Sequence, residues 1–143
     1  TELVAAAILD MKWYTMTSSP NFNPKSGEGM DKMDVNKFEA DAMKEIGLID
    51  QIIPRYRSTY FQHIFSGGYS SGYYSYLWSE VLDADAFQAF VEKGNIFDQE
   101  TAKSFRENVL SKGGTDEPMT LYKKFRGAEP KPEYLLKNRG FIK

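Results

Sequence analysis

Hydrophobic residues recur every three or four positions along most of the chain, and this spacing predicts helices. The first predicted helix covers residues 3–14, and its amphipathic pattern is made by Leu3, Ala6, Ala7, Leu9, Asp10, Trp13 and Tyr14. A second begins at Asp34, whose carboxylate can cap a helix, and reaches about Ile46, before Gly47. No stretch of useful length alternates apolar and polar residues as a strand would. The pattern therefore predicts an all-α fold.

The middle of the chain carries two predicted helices around a glycine-rich break. A short helix is expected over residues 60–65, and Gly67 and Gly68 end it. A long helix follows over residues 71–93, with Gly94 after it. Apolar residues lie on nearly every side of this helix, which is typical of a buried central helix. They are Leu77, Trp78, Val81, Leu82, Ala84, Ala86, Phe87, Phe90 and Val91.

Three more helices are predicted in the C-terminal third of the chain. Asp98 can cap a helix that reaches about residue 112, and Pro118 at a first-turn position opens a helix that Gly127 ends. A last short helix runs to Arg139. Residues 18–34 are polar and interrupted by prolines and glycines. They predict a long surface loop, of a length more typical of lids or partner contacts than of simple connections.

Composition and charge narrow the function classes. The 143 residues are enough for one domain with a core, with 41% hydrophobic and 27% charged residues, as in globular proteins. A net charge of −2 argues against nucleic acid or an anionic membrane as partner, and the absence of cysteine excludes disulfides and thiolate zinc sites. No secretory signal appears in these residues. The cytoplasm is the default location, and the periplasm stays open because a signal upstream of Thr1 would not be seen. The chain starts at Thr1 within a helical pattern, so we expect it to be part of a longer protein.

The densest chemistry lies between the single histidine, His63, and Tyr76. Tyr69, Tyr73 and Tyr76 are spaced i, i+4 and i+7, which on a helix would place their hydroxyls on one face. Two interpretations stay open: a hydroxyl cluster lining a cleft, or an aromatic core stripe. His63 likewise is either a hydrogen-bond donor to a substrate or a structural residue, because it lacks the further ligands of a metal site.

Three apparent motifs, two in this segment and one just after it, lack residues that their chemistry needs. Residues 68–72 match Gly-x-Ser-x-Gly, but the histidine lies upstream and no strand precedes the serine. Gly67 and Gly72 are spaced as in a phosphate loop, but the lysine and hydroxyl residue that should follow are missing. Asp83 and Asp85 lack the rest of a calcium loop, so we expect them to cap or pair locally.

Charged residues beside this segment have two interpretations each. Arg55 and Arg57 can each hold a peptide carboxylate by a bidentate contact or form a structural ion pair. Both are also candidate partners for Glu80. The run of Lys123, Lys124 and Arg126 predicts a solvated helix face.

The sequence of residues 61–87, FQHIFSGGYSSGYYSYLWSEVLDADAF, closely resembles the C-terminal part of the thimet-oligopeptidase family of zinc metallopeptidases, most of all its bacterial peptidyl-dipeptidase members. The upstream helix from Leu3 to Trp13 is similar too. The resemblance continues downstream through Phe105-Arg106, Gly113-Gly114, Pro118-Met119, Leu121-Tyr122, Phe125-Arg126-Gly127 and Arg139-Gly140-Phe141.

The resemblance implies an all-helical, two-lobed protein with a deep channel. Its zinc is bound by a His-Glu-x-x-His helix and a further glutamate, neither of which occurs here. Residues 1–143 would thus be a single C-terminal portion of the catalytic lobe, following the zinc-binding segment and packing against the upstream lobe. Zinc would belong to the full-length enzyme, and this chain by itself would bind no metal and hydrolyse no peptide.

The resemblance also assigns roles to individual residues. Tyr69 and Tyr76 would stabilise the oxyanion, His63 would bind the substrate backbone, and Tyr73 would position the substrate. The glycines Gly67, Gly68 and Gly72 would form the flexible loop that brings the hydroxyls in. The implied activity is release of dipeptides from peptide C-termini; internal cleavage and a non-catalytic peptide-binding module are the alternatives.

Overall fold

A computed structural model describes residues 1–16 and 33–143, and within them the regular secondary structure is entirely helical. This confirms the all-α prediction. The α-helices are α1 (Glu2–Tyr14), α2 (Val35–Glu45), α3 (Gln62–Phe65), α4 (Ser75–Glu92), α5 (Gln99–Phe105), α6 (Pro118–Arg126) and α7 (Glu133–Asn138). A 3₁₀ turn covers Ser58–Tyr60, and a π-helical turn, Arg106–Leu110, continues α5. The predicted loop over residues 18–34 lies almost wholly outside the described residues.

The chain divides into two compact units, Thr1–Leu77 and Trp78–Lys143. The core of the first unit brings α1 and α2 together with the segment after them. Its buried side chains are Ala5, Ala6, Ala7, Leu9, Ala42, Met43, Phe61, Ile64 and Tyr73. Small alanines on α1 allow close packing, while Leu9, Phe61 and Ile64 are large apolar side chains that are fully buried. The segment that carries His63 is therefore part of this core.

Helix ends follow the capping residues that the sequence predicts. The Asp34 carboxylate accepts a hydrogen bond from the Lys37 N–H at 3.0 Å, and Asp98 accepts one from the Thr101 N–H at 2.8 Å. Such caps satisfy N–H groups that have no partner within the helix. At the end of α6, Gly127 adopts φ +79°, a left-handed conformation that favours glycine.

Helix α4 differs from its prediction in two ways. It begins at Ser75 rather than at residue 71, because residues 71–74 form a turn in which Ser71 has φ +55°. The predicted full burial is also wrong, since Trp78 is 43% and Phe87 54% exposed. Burial depends on which elements pack against a helix, and the structure buries four residues of α4, namely Val81, Ala84, Asp85 and Ala86.

The second unit is organised around a buried carboxylate. Asp85 is 1% exposed and accepts hydrogen bonds from the Tyr122 hydroxyl at 2.6 Å and from Arg126 Nε at 3.1 Å. Arg126 also pairs with both carboxylate oxygens of Glu92 at 2.8 Å, which lowers the pKa of Glu92. The prediction that Asp85 caps or pairs locally is wrong, because these two partners lie 37 and 41 positions further along the chain. The prediction that Arg126 lies on a solvated helix face is wrong, because its guanidinium forms ion pairs with Asp85 and Glu92.

No helix in the described ranges, 1–16 and 33–143, combines the length and apolarity needed to cross a membrane.

Candidate functional site

The backbone between α3 and α4 is a compact turn rather than a helix. The Gly67 N–H donates to the Gln62 carbonyl at 2.8 Å, and the Tyr69 N–H donates to the His63 carbonyl at 3.0 Å. A Cβ on residue 67 would lie 2.8 Å from His63 Cα, so glycine is needed for this close approach. Gly68 turns the chain with φ +83°, whereas Gly72 has only ordinary contacts. The glycines thus fold the chain back onto α3.

We expect Gly67→Ala to destabilise the chain by about 1–3 kcal/mol, because the added methyl group would clash with the backbone of α3. The measurement is urea unfolding of wild-type and variant chains. Gly113→Ala is the matched control, since a Cβ there would meet nothing within 4 Å. Equal loss of stability in the two variants would show that the close approach at residue 67 is not the cause.

Four side chains meet at this turn, and we call them the tyrosine–histidine cluster: His63, Tyr69, Tyr73 and Tyr76. The Tyr69 and Tyr76 rings are stacked with centroids 5.1 Å apart and an interplanar angle of 22°. The Tyr73 ring lies 5.0 Å from Tyr76 and 5.7 Å from His63. The predicted proximity of these residues is confirmed. The predicted helical face is wrong, because Tyr69 and Tyr73 precede α4 and the turn brings them together.

Exposure differs across the tyrosine–histidine cluster. Tyr73 is 6% exposed and belongs to the hydrophobic core, as the core-stripe interpretation proposed. Tyr76 is 38% exposed, while His63 and Tyr69 are half-buried. The cluster therefore has a buried side at Tyr73 and a more exposed side at Tyr76.

The surroundings of Tyr73 and Tyr76 raise the pKa of both phenols. Hydrogen bonding with the Tyr69 hydroxyl, followed by desolvation, raises the pKa of Tyr76 to about 12. Burial raises the pKa of Tyr73. A neutral phenol has a proton to donate. At neutral pH the accessible side of the cluster is therefore a hydrogen-bond donor.

We expect Tyr69→Phe to lower the pKa of Tyr76 from about 12 towards the ordinary value of about 10. The pKa of Tyr76 is raised in the folded chain. The contribution of its neutral hydroxyl to stability is therefore complete below about pH 10 and is lost as pH rises through about 12. The measurement is ultraviolet titration of tyrosinate, with the curve of a matching Tyr76→Phe protein subtracted to isolate this group. A Tyr76 that already titrates near its ordinary value in the wild-type chain would contradict this prediction.

Two residues of this region were not singled out from the sequence. Tyr56 stacks on Phe61 with centroids 5.1 Å apart and lies 4.7 Å from the His63 ring, so it forms the inner wall of the cluster. Asp10 on α1 is fully buried and accepts hydrogen bonds from the N–H groups of Ser71 and Tyr73, both at 2.9 Å. The sequence did contain one signal for Asp10, because a carboxylate there lies among the apolar positions of a predicted helix.

The arginines have partners on the protein. Arg57 forms an ion pair with Glu39, which is 4% exposed. Of the two interpretations of Arg57, the structure therefore contains the structural ion pair. The Arg55 guanidinium carbon lies 5.5 Å from the centroid of the Tyr56 ring. Arg55 Nε lies 3.9 Å from Glu2 Oε1. Neither arginine pairs with Glu80, whose partner is Arg139, so that expected pairing is wrong.

Among residues 1–16 and 33–143, no group of three or more His, Cys, Asp or Glu side chains could hold a metal ion. The donor set of these residues does not fit zinc.

These features define a helical chain with an accessible cluster of phenol donors. The chain belongs to peptidase family M3, because residues 1–141 match the sequence pattern of that family. It is 41% identical over 140 residues to a dipeptidyl carboxypeptidase of Escherichia coli (strain K12), covering 97% of this chain and 19% of that protein.

Two further relatives match a shorter part of the chain. Oligopeptidase A of E. coli is 58% identical over 80 residues, covering 56% of this chain and 12% of that protein. A protein described as probable cytosolic oligopeptidase A of Arabidopsis thaliana is 49% identical over 86 residues, covering 57% and 12%. The chain thus spans about a fifth or less of the length of these relatives.

Proposed function

We propose that the chain is the C-terminal portion of a zinc-dependent peptidase and supplies side chains that bind the substrate and stabilise the transition state. The observation that carries this proposal is the Tyr76 side chain, which is 38% exposed and whose ring stacks on that of Tyr69 in the tyrosine–histidine cluster. Membership of peptidase family M3 supports peptide hydrolysis as the reaction of the whole protein.

The proposed division of roles follows exposure and hydrogen-bonding capacity. Hydrolysis of a peptide bond places negative charge on the former carbonyl oxygen, and donors placed at that oxygen are most effective when the charge develops. Tyr76 and Tyr69 would donate hydrogen bonds from their hydroxyl groups to this oxygen. His63, half-buried beside them, would hold the substrate backbone. The buried Tyr73 would shape the pocket and set the position of the Tyr76 ring.

The loop glycines and Arg57 are secondary elements of this proposal. Gly67, Gly68 and Gly72 would shape the turn that presents the hydroxyls to a bound peptide. Arg57 would reach a substrate carboxylate only by sharing its guanidinium with Glu39, so its ion pair does not favour that role.

Zinc would be supplied by another part of the protein. The described residues do not provide a ligand set for it, so we expect no hydrolysis by this chain alone. The cytoplasm remains the proposed location, consistent with the printed name of the Arabidopsis relative.

Release of C-terminal dipeptides is the proposed specificity. It is supported by the match of 97% of the chain to a relative named dipeptidyl carboxypeptidase. Internal cleavage remains the alternative within the family, because the shorter match to oligopeptidase A has the higher identity.

The test is product analysis with the full-length protein. Peptides with blocked N-termini are incubated with and without a chelator, and the products are identified by mass spectrometry. Successive C-terminal dipeptides that disappear with the chelator and return with zinc are the expected result. Internal fragments would favour the oligopeptidase alternative. Peptide binding without hydrolysis would overturn the enzyme proposal in favour of a binding module.

A further inference from the structure

Asp10 is a buried carboxylate whose two oxygens both serve the turn after α3. It is 0% exposed, and a charge in such a position is costly unless it is hydrogen-bonded. Its Oδ1 accepts from the Ser71 N–H and its Oδ2 from the Tyr73 N–H, each at 2.9 Å. Asp10 therefore joins α1 to a turn more than sixty residues away in sequence.

The turn that Asp10 binds has an unfavourable backbone conformation of its own. Ser71 has φ +55°, a left-handed conformation that costs energy in any residue with a side chain. A charged acceptor at its N–H can offset this cost, because hydrogen bonds to ionised groups are stronger than neutral ones. The carboxylate is thus well placed to hold the turn in this one conformation.

Residues of the tyrosine–histidine cluster lie on both sides of this anchor. Tyr69 precedes Ser71, Tyr73 is itself an Asp10 partner, and Tyr76 follows in the first turn of α4. On the other side, the Ser70 hydroxyl donates to the Ile64 carbonyl at 2.7 Å, which fixes the turn to α3. Movement at Ser71 and Tyr73 would therefore move the hydroxyls relative to His63.

We propose that Asp10 is a positioning residue for the reaction: its carboxylate fixes the Ser71–Tyr73 turn and thereby the placement of the Tyr69 and Tyr76 hydroxyls. This inference rests on the proposed function. Misplacement of a catalytic group by about 1 Å can cost about 10²-fold in rate, so loss of the anchor has an effect on catalysis beyond its effect on folding.

The test compares Asp10→Asn with Asp85→Asn in the full-length protein. Asn keeps the size of Asp but replaces one acceptor oxygen by an NH₂ group, which cannot accept a bond from a backbone N–H. Asp85 is equally buried but serves Tyr122 and Arg126 in the second unit, so it controls for loss of stability.

Two readouts separate positioning from folding. For Asp10→Asn we expect kcat to fall about 10²-fold with little change in KM, because the donors act mainly in the transition state. We also expect amide hydrogen exchange over residues 69–76 to rise about tenfold. Asp85→Asn should change neither kcat nor this exchange in the folded enzyme.

A backbone variant guards against loss of folding in Asp10→Asn. Glycine adopts positive φ without strain, so Ser71→Gly should allow the double variant Asp10→Asn/Ser71→Gly to fold. We expect the double variant to have a lower kcat than Ser71→Gly alone. Equal kcat values in these two proteins would overturn the proposal.

Each remaining outcome has a distinct meaning. Faster exchange over residues 69–76 with unchanged kcat would show that Asp10 holds the turn without positioning the reaction. Unchanged exchange would show that Asp10 does not hold the turn. Either result overturns the inference. If the wild-type protein hydrolyses no peptide, the proposed function fails and the catalytic part of this inference fails with it. Exchange would then still decide, independently of activity, whether Asp10 anchors the turn.

Discussion

Replacing Tyr76 by phenylalanine in the full-length protein is expected to lower kcat about 10²–10³-fold with little change in KM. The substitution removes one hydroxyl and keeps the ring that stacks on Tyr69. A donor that acts mainly on the developing oxyanion contributes to the transition state more than to substrate binding. Steady-state kinetics with one blocked peptide measures both constants.

Tyr74→Phe is the matched control for this prediction. Tyr74 lies two residues away in the same segment, is 54% exposed and does not belong to the tyrosine–histidine cluster. Its kcat should remain within about twofold of the wild-type value, since surface substitutions rarely have large effects. An unchanged kcat for Tyr76→Phe, or an equal loss in both variants, would refute the assignment of Tyr76.

The largest expected effect on stability comes from Asp85→Ala, which should lower the free energy of unfolding by about 3–5 kcal/mol. The substitution leaves Arg126, whose side chain is 13% exposed, without one carboxylate partner and leaves the Tyr122 hydroxyl without its acceptor at 2.6 Å. Removing one member of a buried ion pair is costly because the other charge stays desolvated. Urea unfolding of the 143-residue chain measures the difference.

Asp83→Ala controls for helix propensity and charge at a neighbouring position. Asp83 is exposed on the same helix, so its replacement should change stability by no more than about 0.5 kcal/mol. A loss of less than about 1 kcal/mol for Asp85→Ala would mean that the network around Asp85 contributes little to the second unit.

Local signals in the sequence predict the helices well. The caps at Asp34 and Asp98 and the end of α6 at Gly127 involve residues within four positions of one another. Such contacts depend on the local backbone alone, so they can be inferred without knowing the tertiary structure.

Contacts between distant residues account for the errors. Helix α4 begins four residues later than predicted, after a turn in which the N–H groups of Ser71 and Tyr73 bind the distant Asp10. No local pattern around residue 71 contains that information. The exposure of Trp78 and Phe87 is a similar case, since residue type indicates which side chains can be buried and not which ones are covered.

The candidate site was predicted in part. The proximity of His63, Tyr69, Tyr73 and Tyr76 followed from their closeness in sequence, although the predicted helical face was wrong. Asp10 could not be assigned to the site from its helix alone, because its partners lie on a turn that forms only in the folded unit.

The most direct test of the central proposal is a crystal structure of the full-length protein with a phosphinic peptide, whose phosphinyl group imitates the tetrahedral intermediate. The account predicts that the Tyr76 hydroxyl lies about 2.7–3.1 Å from a phosphinyl oxygen, with Tyr69 and His63 contacting the same peptide. A peptide bound away from residues 61–76, or a Tyr76 hydroxyl that makes no contact with the phosphinyl group, would contradict it.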